Sequence, residues 1–186
     1  MADRELVLIT GANTGIGFET AKALFRSGRP YHVLLGSRAP ANADKAIAEL
    51  KEEYPDTKST VEPIQIDIIN DQSINKTFEY VNSNSGKLDV LVSNAGSFDK
   101  TFGHDTADFR TLFNKTYDVN VSAYRSSKVA LNMVMLSWHH LLKPDGVRVW
   151  SISPGFLAMG LENMPEVLKK AGAGDPSTGA ELVKRR

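Results

Sequence analysis

Short apolar runs alternate with amphipathic segments along the first half of the chain. Four of these runs predict strands, namely Leu6–Ile9, Tyr31–Leu35, Val61–Ile66 and Leu88–Val92. The first is apolar throughout, which suits burial on both faces of a parallel sheet. The segments between them carry apolar residues at helical spacing, namely Phe18–Ser27, Ala43–Tyr54 and Ser73–Val81. Alternation of strands and helices is typical of a doubly wound parallel sheet, so we predict an α/β fold.

The alternation stops in the second half of the chain. There is neither glycine nor proline between Gly103 and Pro144, and most of that stretch has helical character. Because an ordinary helix runs about 8 to 20 residues, we predict two helices there, with a break within Asp118–Ser122. Their apolar faces fall within Phe109–Thr116 and Val129–His140. The remainder predicts a strand, a short helix and a loop, namely Val147–Ile152, Glu166–Lys170 and Ala171–Gly179.

Composition limits the classes of function. The 186 residues include 22 basic and 22 acidic side chains without a long run of either sign, which argues against binding to nucleic acid or to a membrane. There is no cysteine, which excludes disulfides, thiolate metal sites and cysteine nucleophiles. The run Leu6–Ile9 is too short for a signal peptide or a membrane span, so we expect one cytoplasmic domain over residues 1–186. His104, His139 and His140 lack matched carboxylates, so no metal site is predicted.

A glycine-rich turn, Thr10–Gly17, lies between the first predicted strand and the first predicted helix. Glycine lets a backbone turn tightly and approach a diphosphate without a Cβ in the way. The start of the helix adds unpaired N–H groups and the positive end of its dipole. The order strand, glycine turn, helix therefore predicts a dinucleotide-binding site, with a purely structural turn as the alternative.

The second predicted strand ends in Gly36, Ser37 and Arg38. Sites for NAD usually carry an acidic residue at this place, which accepts from the ribose hydroxyls, whereas sites for NADP have a basic group near the 2′-phosphate. The sequence has no acid here, and the guanidinium of Arg38 suits a phosphate through bidentate donation. We therefore predict NADP as the cofactor, with NADPH preferred over NADH; a solvated surface arginine is the alternative.

Tyr124 and Lys128 form a YxxxK pattern. Residues four apart lie on one face of a helix, so the phenol and the ammonium group can share a pocket. An isolated tyrosine has a pKa of about 10 and exchanges protons poorly near neutrality, and a nearby cation favours the phenolate. The pair therefore suits acid–base chemistry in which Tyr124 delivers a proton to a carbonyl oxygen.

These motifs, in this order, resemble those of the short-chain dehydrogenase/reductase family, particularly its carbonyl-reductase-like members. The glycine turn resembles TGxxxGIG, Asn94–Gly96 the NAG motif, and Pro154–Gly155 the PG motif beside the nicotinamide, while YxxxK continues as Val129–Asn132 in the family manner. The resemblance implies a Rossmann-type fold in a single NADP-binding domain. It also implies an NADP(H)-dependent oxidoreductase that interconverts a small carbonyl compound and its alcohol.

The resemblance also assigns the site residues. It makes Tyr124 the acid–base group, Lys128 its pKa partner and ribose clamp, and Asn120 the holder of a proton-relay water. Asp67 would contact the adenine amino group. The residues implied for cofactor binding are Gly11, Asn13, Thr14, Gly15, Ile16, Gly17, Ser37, Arg38, Asp67, Asn94, Ala95, Gly96, Tyr124, Lys128, Pro154 and Gly155.

The chain departs from the family pattern just before YxxxK. Family members place a strand that ends in the catalytic serine, and then a substrate loop, between the asparagine and the tyrosine, yet Tyr124 follows Asn120 by only four positions. A mean strand alone takes about 5 to 6 residues, so we predict an internal deletion that removes this serine. The alternative is a very short strand, Tyr117–Val121, ending at Ser122. Met159 stands where the family usually has a threonine, and a thioether cannot donate a hydroxyl hydrogen bond.

The deletion and a shortened C-terminus have consequences for the whole chain under this interpretation. The sheet would lack one interior strand and the closing C-terminal strand of the family. The family pairs two long helices across a dimer interface, and the first is shortened here, so a homo-oligomer would be weakened. Two further hypotheses stay open: a truncated, non-catalytic member that binds the dinucleotide or a protein partner, and an incomplete gene product.

Overall fold

A parallel sheet of four strands organises the first part of the chain. The computed structural model describes residues 4–96, 124–158, 165–170 and 172–185. Its strands are β1 (Glu5–Ile9), β2 (Tyr31–Ser37), β3 (Thr60–Gln65) and β4 (Val90–Val92), paired in the order β3-β2-β1-β4. They are connected by α1 (Gly15–Phe25), α2 (Pro40–Glu53) and α3 (Asp71–Ser85). The predicted α/β fold with a parallel sheet is therefore confirmed.

The apolar runs of β1 and β2 lie at the centre of this sheet, buried on both faces. One face packs against α1 and α2 through a cluster that includes Val7, Ile9, Val33, Leu35, Phe18, Ala21, Leu24, Ile47 and Leu50. The other face forms a smaller cluster with α3, which includes Leu6, Leu8, Leu34, Ile64 and Val81. Strands covered on both sides need no polar face, which is why their sequences show no alternation.

The contacts divide the chain into two compact units. The first comprises residues 1–95 and 154–185, and the second comprises residues 96–153. The prediction that residues 1–186 form a single domain stays a prediction. None of the described helices is both long and apolar enough to span a membrane.

The second unit contains α4 (Tyr124–Leu142), which a short 3₁₀ turn, Lys143–Asp145, follows. This helix confirms the one predicted from the apolar spacing in Val129–His140. The helix predicted for Phe109–Thr116 and the break predicted within Asp118–Ser122 lie outside the described residues.

The strand predicted for Val147–Ile152 is wrong. These residues form no regular secondary structure, and the side chains of Val147 and Trp150 are 44% and 52% exposed. A parallel strand needs a neighbouring strand whose backbone groups pair with its own. The described part of the second unit contains no strand, so an apolar composition alone does not produce one here.

The loop predicted for Ala171–Gly179 is also wrong, because α6 (Pro176–Lys184) begins inside it, after the short helix α5 (Pro165–Lys170). The carboxylate of Asp175 accepts a hydrogen bond from the backbone N–H of Ser177 at 2.8 Å. Hydrogen bonds from the Ser177 hydroxyl and from this N–H lower the pKa of Asp175. Proline at the first helical position costs no hydrogen bond, because that N–H has no partner within a helix. The sequence therefore contains the signals of a helix N-terminus, Asp175 followed by Pro176, although the nearby glycines are typical of a loop.

Gly179 lies inside α6 because the helix packs closely at this point. A Cβ there would lie 2.9 Å from both Leu157 Cδ1 and Pro154 Cβ. The helix α6 also packs against α1, and Arg26, the residue after α1, forms an ion pair with Glu181 at 3.2 Å. The segment that starts at Pro154 is thereby held beside α1 in the first unit.

Asp89 fastens the start of β4 to the start of β1. Its Oδ2 accepts a hydrogen bond from the Leu6 N–H at 2.8 Å, and its own N–H donates to the Leu6 carbonyl at 3.1 Å. The bond from Leu6 lowers the pKa of Asp89, and Lys87, whose Nζ lies 3.0 Å from Oδ1, adds to this effect against the opposing influence of burial.

Replacing Asp89 with asparagine should lower the free energy of unfolding at pH 7 by about 1 kcal/mol, because the amide oxygen can still accept from the Leu6 N–H but carries no charge, and the ion pair with Lys87 is lost. Because the folded-state pKa is lowered, the carboxylate's contribution is fully present above the unfolded pKa of about 3.9 and is lost as the pH falls through the folded value. The free energies of unfolding of the wild type and Asp89→Asn, measured in urea, should therefore differ at pH 7 and become equal towards pH 3. Asp56→Asn, at an exposed turn, is the control and should show no such convergence. A difference that stays constant with pH would contradict this role.

Candidate dinucleotide-binding site

The glycine turn between β1 and α1 presents backbone N–H groups without partners. Gly11 and Gly15 have φ angles of +63° and +59°, which side-chain-bearing residues rarely adopt. Thr14 precedes the helix in an extended conformation, and its side chain caps none of the helix N–H groups. In the part of the chain that the structure describes, the N–H groups of residues 15–17 accordingly have no hydrogen-bond acceptor. Together with the helix dipole they suit an anion such as a diphosphate.

Gly17 lets the turn and the Asn94–Gly96 segment come into contact. A Cβ at Gly17 would lie 2.5 Å from the Asn94 side-chain nitrogen and 2.6 Å from the Gly11 carbonyl oxygen. A Cβ at Gly11 would lie 3.0 Å from Ala95 Cα. Any larger residue at Gly17 would displace the Asn94 side chain from its place against the turn.

Thr10 joins these two segments, a role that the sequence did not reveal. Its buried hydroxyl accepts hydrogen bonds from the backbone N–H groups of Asn94 and Ala95 at 3.0 and 2.9 Å. It donates to the Val92 carbonyl at 3.4 Å. In return, the Asn94 side-chain amide donates to the carbonyls of Thr10 and Gly11 at 3.0 and 3.2 Å. The only sequence signal was the threonine that opens the glycine motif.

The end of β2 places Ser37 and Arg38 differently. Ser37 is buried, and its hydroxyl donates to the Ala39 carbonyl at 3.1 Å, so it shapes the turn into α2. Arg38 is exposed, and its guanidinium makes no hydrogen bond or ion pair with the residues that the structure describes. Its backbone carbonyl accepts from Gln65 at 3.4 Å. The charge of Arg38 is therefore available to an anion at this end of the sheet.

Asp67 follows β3 and is half-buried. Its N–H donates to the Ser73 hydroxyl at 2.9 Å, and its Oδ1 accepts from the Ile69 N–H at 3.3 Å. These bonds fix its backbone at the start of α3.

The PG segment lies beside the start of α1. A Cβ at Gly179 would contact Pro154 and also lie 3.8 Å from Ile16 Cδ1, so the side chains of Pro154 and Ile16 approach each other over this glycine. Gly155 has a φ of +84° and is exposed. The backbone of Ala158 is held by a hydrogen bond of its N–H to the Gly174 carbonyl at 2.8 Å.

The structure thus brings most of the assigned cofactor residues to one edge of the sheet. The carboxyl ends of all four strands meet there, and the strand order reverses between β1 and β4, which is where ligands of such sheets bind. Asp67 and Arg38 lie on the β3–β2 side, the glycine turn lies at β1, and Asn94 lies at β4. The positive φ angles, the unpaired N–H groups and the available arginine together fit a phosphorylated dinucleotide.

The YxxxK pair lies in the second unit. Tyr124 and Lys128 lie one helical turn apart at the start of α4. Their approach to the cofactor residues stays a prediction. Asn120, Ser122 and Met159 lie outside the described residues. In the remainder of the chain, no group of three or more carboxylate or imidazole side chains could hold a metal ion.

Comparison with known proteins identifies the family. The family model described as short chain dehydrogenase matches residues 5–124. The chain belongs to the short-chain dehydrogenase family. It is 34% identical to the short-chain dehydrogenase/reductase tropE of Talaromyces stipitatus, with 94% of this chain and 89% of that protein covered. It is 36% identical to the short-chain dehydrogenase/reductase eupG of a Phoma species, with 95% and 87% covered.

Solved structures show the same fold. The L-sorbose reductase of Gluconobacter frateurii, in complex with NADPH and L-sorbose, superposes with a TM-score of 0.77 at 19% identity, over 97% of this chain and 88% of that one. A short-chain type dehydrogenase/reductase from Mycobacterium ulcerans superposes with a TM-score of 0.77 at 22% identity, over 98% and 82%.

The alignments also bear on the internal deletion. Those with tropE and eupG run over 239 and 243 positions, although this chain has 186 residues, so at least 53 and 57 positions face a gap in it. The family match ends at Tyr124, the first residue of YxxxK. Both findings agree with a segment missing before that motif.

Replacing Thr10 with valine should destabilise the protein by about 2 to 4 kcal/mol, because the N–H groups of Asn94 and Ala95 would lose their acceptor and each such loss costs about 1 to 3 kcal/mol. Thr10→Ser keeps the hydroxyl and should cost less than about 1 kcal/mol. Urea unfolding followed by circular dichroism measures both variants. A loss in Thr10→Ser as large as the loss in Thr10→Val would contradict the role given to the hydroxyl.

Proposed function

We propose that this chain binds NADP(H) and interconverts a small carbonyl compound and its alcohol. The observation that carries the proposal is the row of unpaired N–H groups at the start of α1, with the guanidinium of Arg38, which has no partner among the described residues, at the end of the neighbouring strand β2 along the same edge. Family membership supports the reaction class. The L-sorbose reductase with the same fold, solved with NADPH and a sugar, supports the cofactor and a carbonyl substrate.

Each part of the cofactor has residues that suit it. The N–H groups of the glycine turn would hold the diphosphate, Arg38 the 2′-phosphate and Asp67 the adenine. The backbone of Asn94–Gly96 and Pro154–Gly155 would lie beside the nicotinamide ring. When bound, the reduced ring supplies the hydride that the carbonyl carbon accepts.

The protein's own side chains would transfer the proton to the carbonyl oxygen. The Tyr124 hydroxyl would give its proton to the carbonyl oxygen, and the ammonium of Lys128 would favour the phenolate that remains. Asn120 would hold the water through which the phenolate regains a proton. These roles rest on the family resemblance of the YxxxK pattern and of Asn120.

A second candidate function is a non-catalytic member that keeps the nucleotide site. It is favoured by the gap of at least 53 positions in this chain against its relatives, since the resemblance places the catalytic serine in that segment. Nucleotide binding is common to both candidates, and only turnover separates them.

Wild-type protein should bind NADPH at least tenfold more tightly than NADH, and Arg38→Ala should reduce that ratio to less than about threefold by weakening NADPH alone. Charge-assisted bonds to a phosphate contribute about 1.5 to 3 kcal/mol, and each 1.4 kcal/mol is a factor of ten. Isothermal titration calorimetry measures both affinities. Arg29→Ala, at the opposite end of β2, is the control and should leave the ratio unchanged. Equal affinities for the two nucleotides in the wild type would remove the NADP assignment.

Tyr124→Phe should lower the rate of reduction of 4-nitrobenzaldehyde by NADPH at least about 100-fold, because positioned proton donors contribute about 10² to 10⁴ in rate. Because Tyr124 is also implied in cofactor binding, the affinity for NADPH should fall by no more than about fivefold, the value of one net hydrogen bond. Tyr80→Phe is the matched control, because the Tyr80 hydroxyl bonds Glu62 at 2.9 Å on the outer part of α3. If Tyr124→Phe retains the full rate, Tyr124 is not the proton donor. If the wild type binds NADPH without turnover, the non-catalytic candidate is correct.

A further inference from the structure

Ser93 lies where the last strand of the sheet ends. It follows β4 directly, at the carboxyl edge shared by the glycine turn and Arg38. It is exposed, and its hydroxyl makes no hydrogen bond with the part of the chain that the structure describes. Neither the motifs nor the family resemblance gave it a role.

The backbone on both sides of Ser93 is fixed by Thr10. The Val92 carbonyl accepts from the Thr10 N–H at 3.0 Å, and the Asn94 N–H donates to the Thr10 hydroxyl at 3.0 Å. Ser93 is therefore an exposed hydroxyl on a backbone that is already ordered. A donor held in place before the reaction stabilises developing charge better than a mobile one.

The order of the site residues places Ser93 on the nicotinamide side. Arg38 and Asp67 would hold the phosphorylated adenosine on the β2–β3 side, and the glycine turn would hold the diphosphate at β1. A dinucleotide bound in this direction must extend its reactive half towards β4. Ser93 is the first residue after that strand.

The other polar side chains at this junction are already engaged. The Thr10 hydroxyl is bonded to Val92, Asn94 and Ala95, and the Asn94 amide nitrogen is bonded to Thr10 and Gly11. Side chains alternate along a strand, so Ser93 shares the face of Leu91, which is 56% exposed. The described residues therefore leave both the hydroxyl of Ser93 and the surface beside it open to a small molecule.

We propose that Ser93 donates a hydrogen bond to the substrate's carbonyl oxygen, in place of the serine of the deleted segment. This proposal rests on the proposed function. The carbonyl carbon gains a hydride from the reduced nicotinamide, which is oxidised to NADP⁺, the π electron pair moves to oxygen, and that oxygen takes its proton from Tyr124. Ser93 keeps its own proton and stabilises the negative charge that develops on oxygen.

The test compares wild type, Ser93→Ala and Ser93→Thr, with Ser83→Ala on the exposed side of α3 as the matched serine control. Calorimetry gives the affinity for NADPH, and then the affinity of the NADP⁺-loaded protein for benzamide, whose carbonyl accepts a hydrogen bond but is not reduced here. Reduction of 4-nitrobenzaldehyde gives kcat/KM. Thermal unfolding reports on stability.

Ser93→Ala should bind benzamide about fivefold more weakly, the effect of one net hydrogen bond. Its kcat/KM should fall at least tenfold, because a donor to a developing oxyanion contributes more in the transition state than in the ground state. Its NADPH affinity and thermal midpoint should not change. Ser93→Thr, which keeps a hydroxyl, should retain most of the benzamide affinity and of kcat/KM. Ser83→Ala should leave all four measured quantities unchanged.

Three outcomes would overturn the proposal. Unchanged benzamide affinity and rate in Ser93→Ala would reject Ser93 while leaving the proposed oxidoreductase function intact. A parallel loss of NADPH affinity or stability in Ser93→Ala and Ser93→Thr would assign Ser93 a structural role. A wild type that binds NADPH but neither benzamide nor substrate would reject the oxidoreductase function and the role of Ser93 together.

Discussion

The hydroxyl of Thr10 is the contact on which the rest of the site depends. Buried backbone N–H groups need acceptors, and Thr10 provides one for Asn94 and Ala95 while it bonds the end of β4 through Val92. With this junction satisfied internally, the N–H groups at the start of α1 have no acceptor within the described residues and are left for an anion.

Two glycines extend this junction to a distant part of the sequence. Because Gly17 has no side chain, Asn94 packs directly against α1. Because Gly179 has none, Pro154 and Leu157 pack directly against α6. Since α6 packs on α1, the PG segment reaches the start of α1 although more than a hundred residues separate them in sequence. The contacts that build the nucleotide site therefore come from residues before position 96 and after position 153. A deletion between Asn94 and Pro154 leaves these contacts intact.

The sequence predicted those features that depend on local chemistry. The sequence predicts β1 and β2 because their burial on both faces requires uninterrupted apolar runs, and it predicts the glycine turn because the backbone conformation there requires glycine. The segment Val147–Ile152 was mispredicted because a strand also requires a neighbour, which composition does not report. The loop predicted for Ala171–Gly179 hides the start of α6, because the glycine at position 179 lies inside a helix, where it lets Pro154 and Leu157 pack closely. Thr10 and Ser93 acquire their roles only when β1 pairs with β4, across more than eighty residues.

The residues that the resemblance assigns to the cofactor and to proton transfer come from different units of the chain. The residues that suit the dinucleotide lie in the first unit, whereas Tyr124 and Lys128 lie in the second. A deletion that removes one hydrogen-bond donor to the carbonyl oxygen costs a factor of about 10² to 10³ in rate, whereas enzymes accelerate reactions by about 10⁶ or more. A chain that still orients the nicotinamide and supplies a proton therefore retains most of the catalytic effect on a logarithmic scale. Under the proposed function, loss of the serine-bearing segment produces a slow enzyme and not an inert one, and a second hydroxyl at the end of β4 offsets part of that loss.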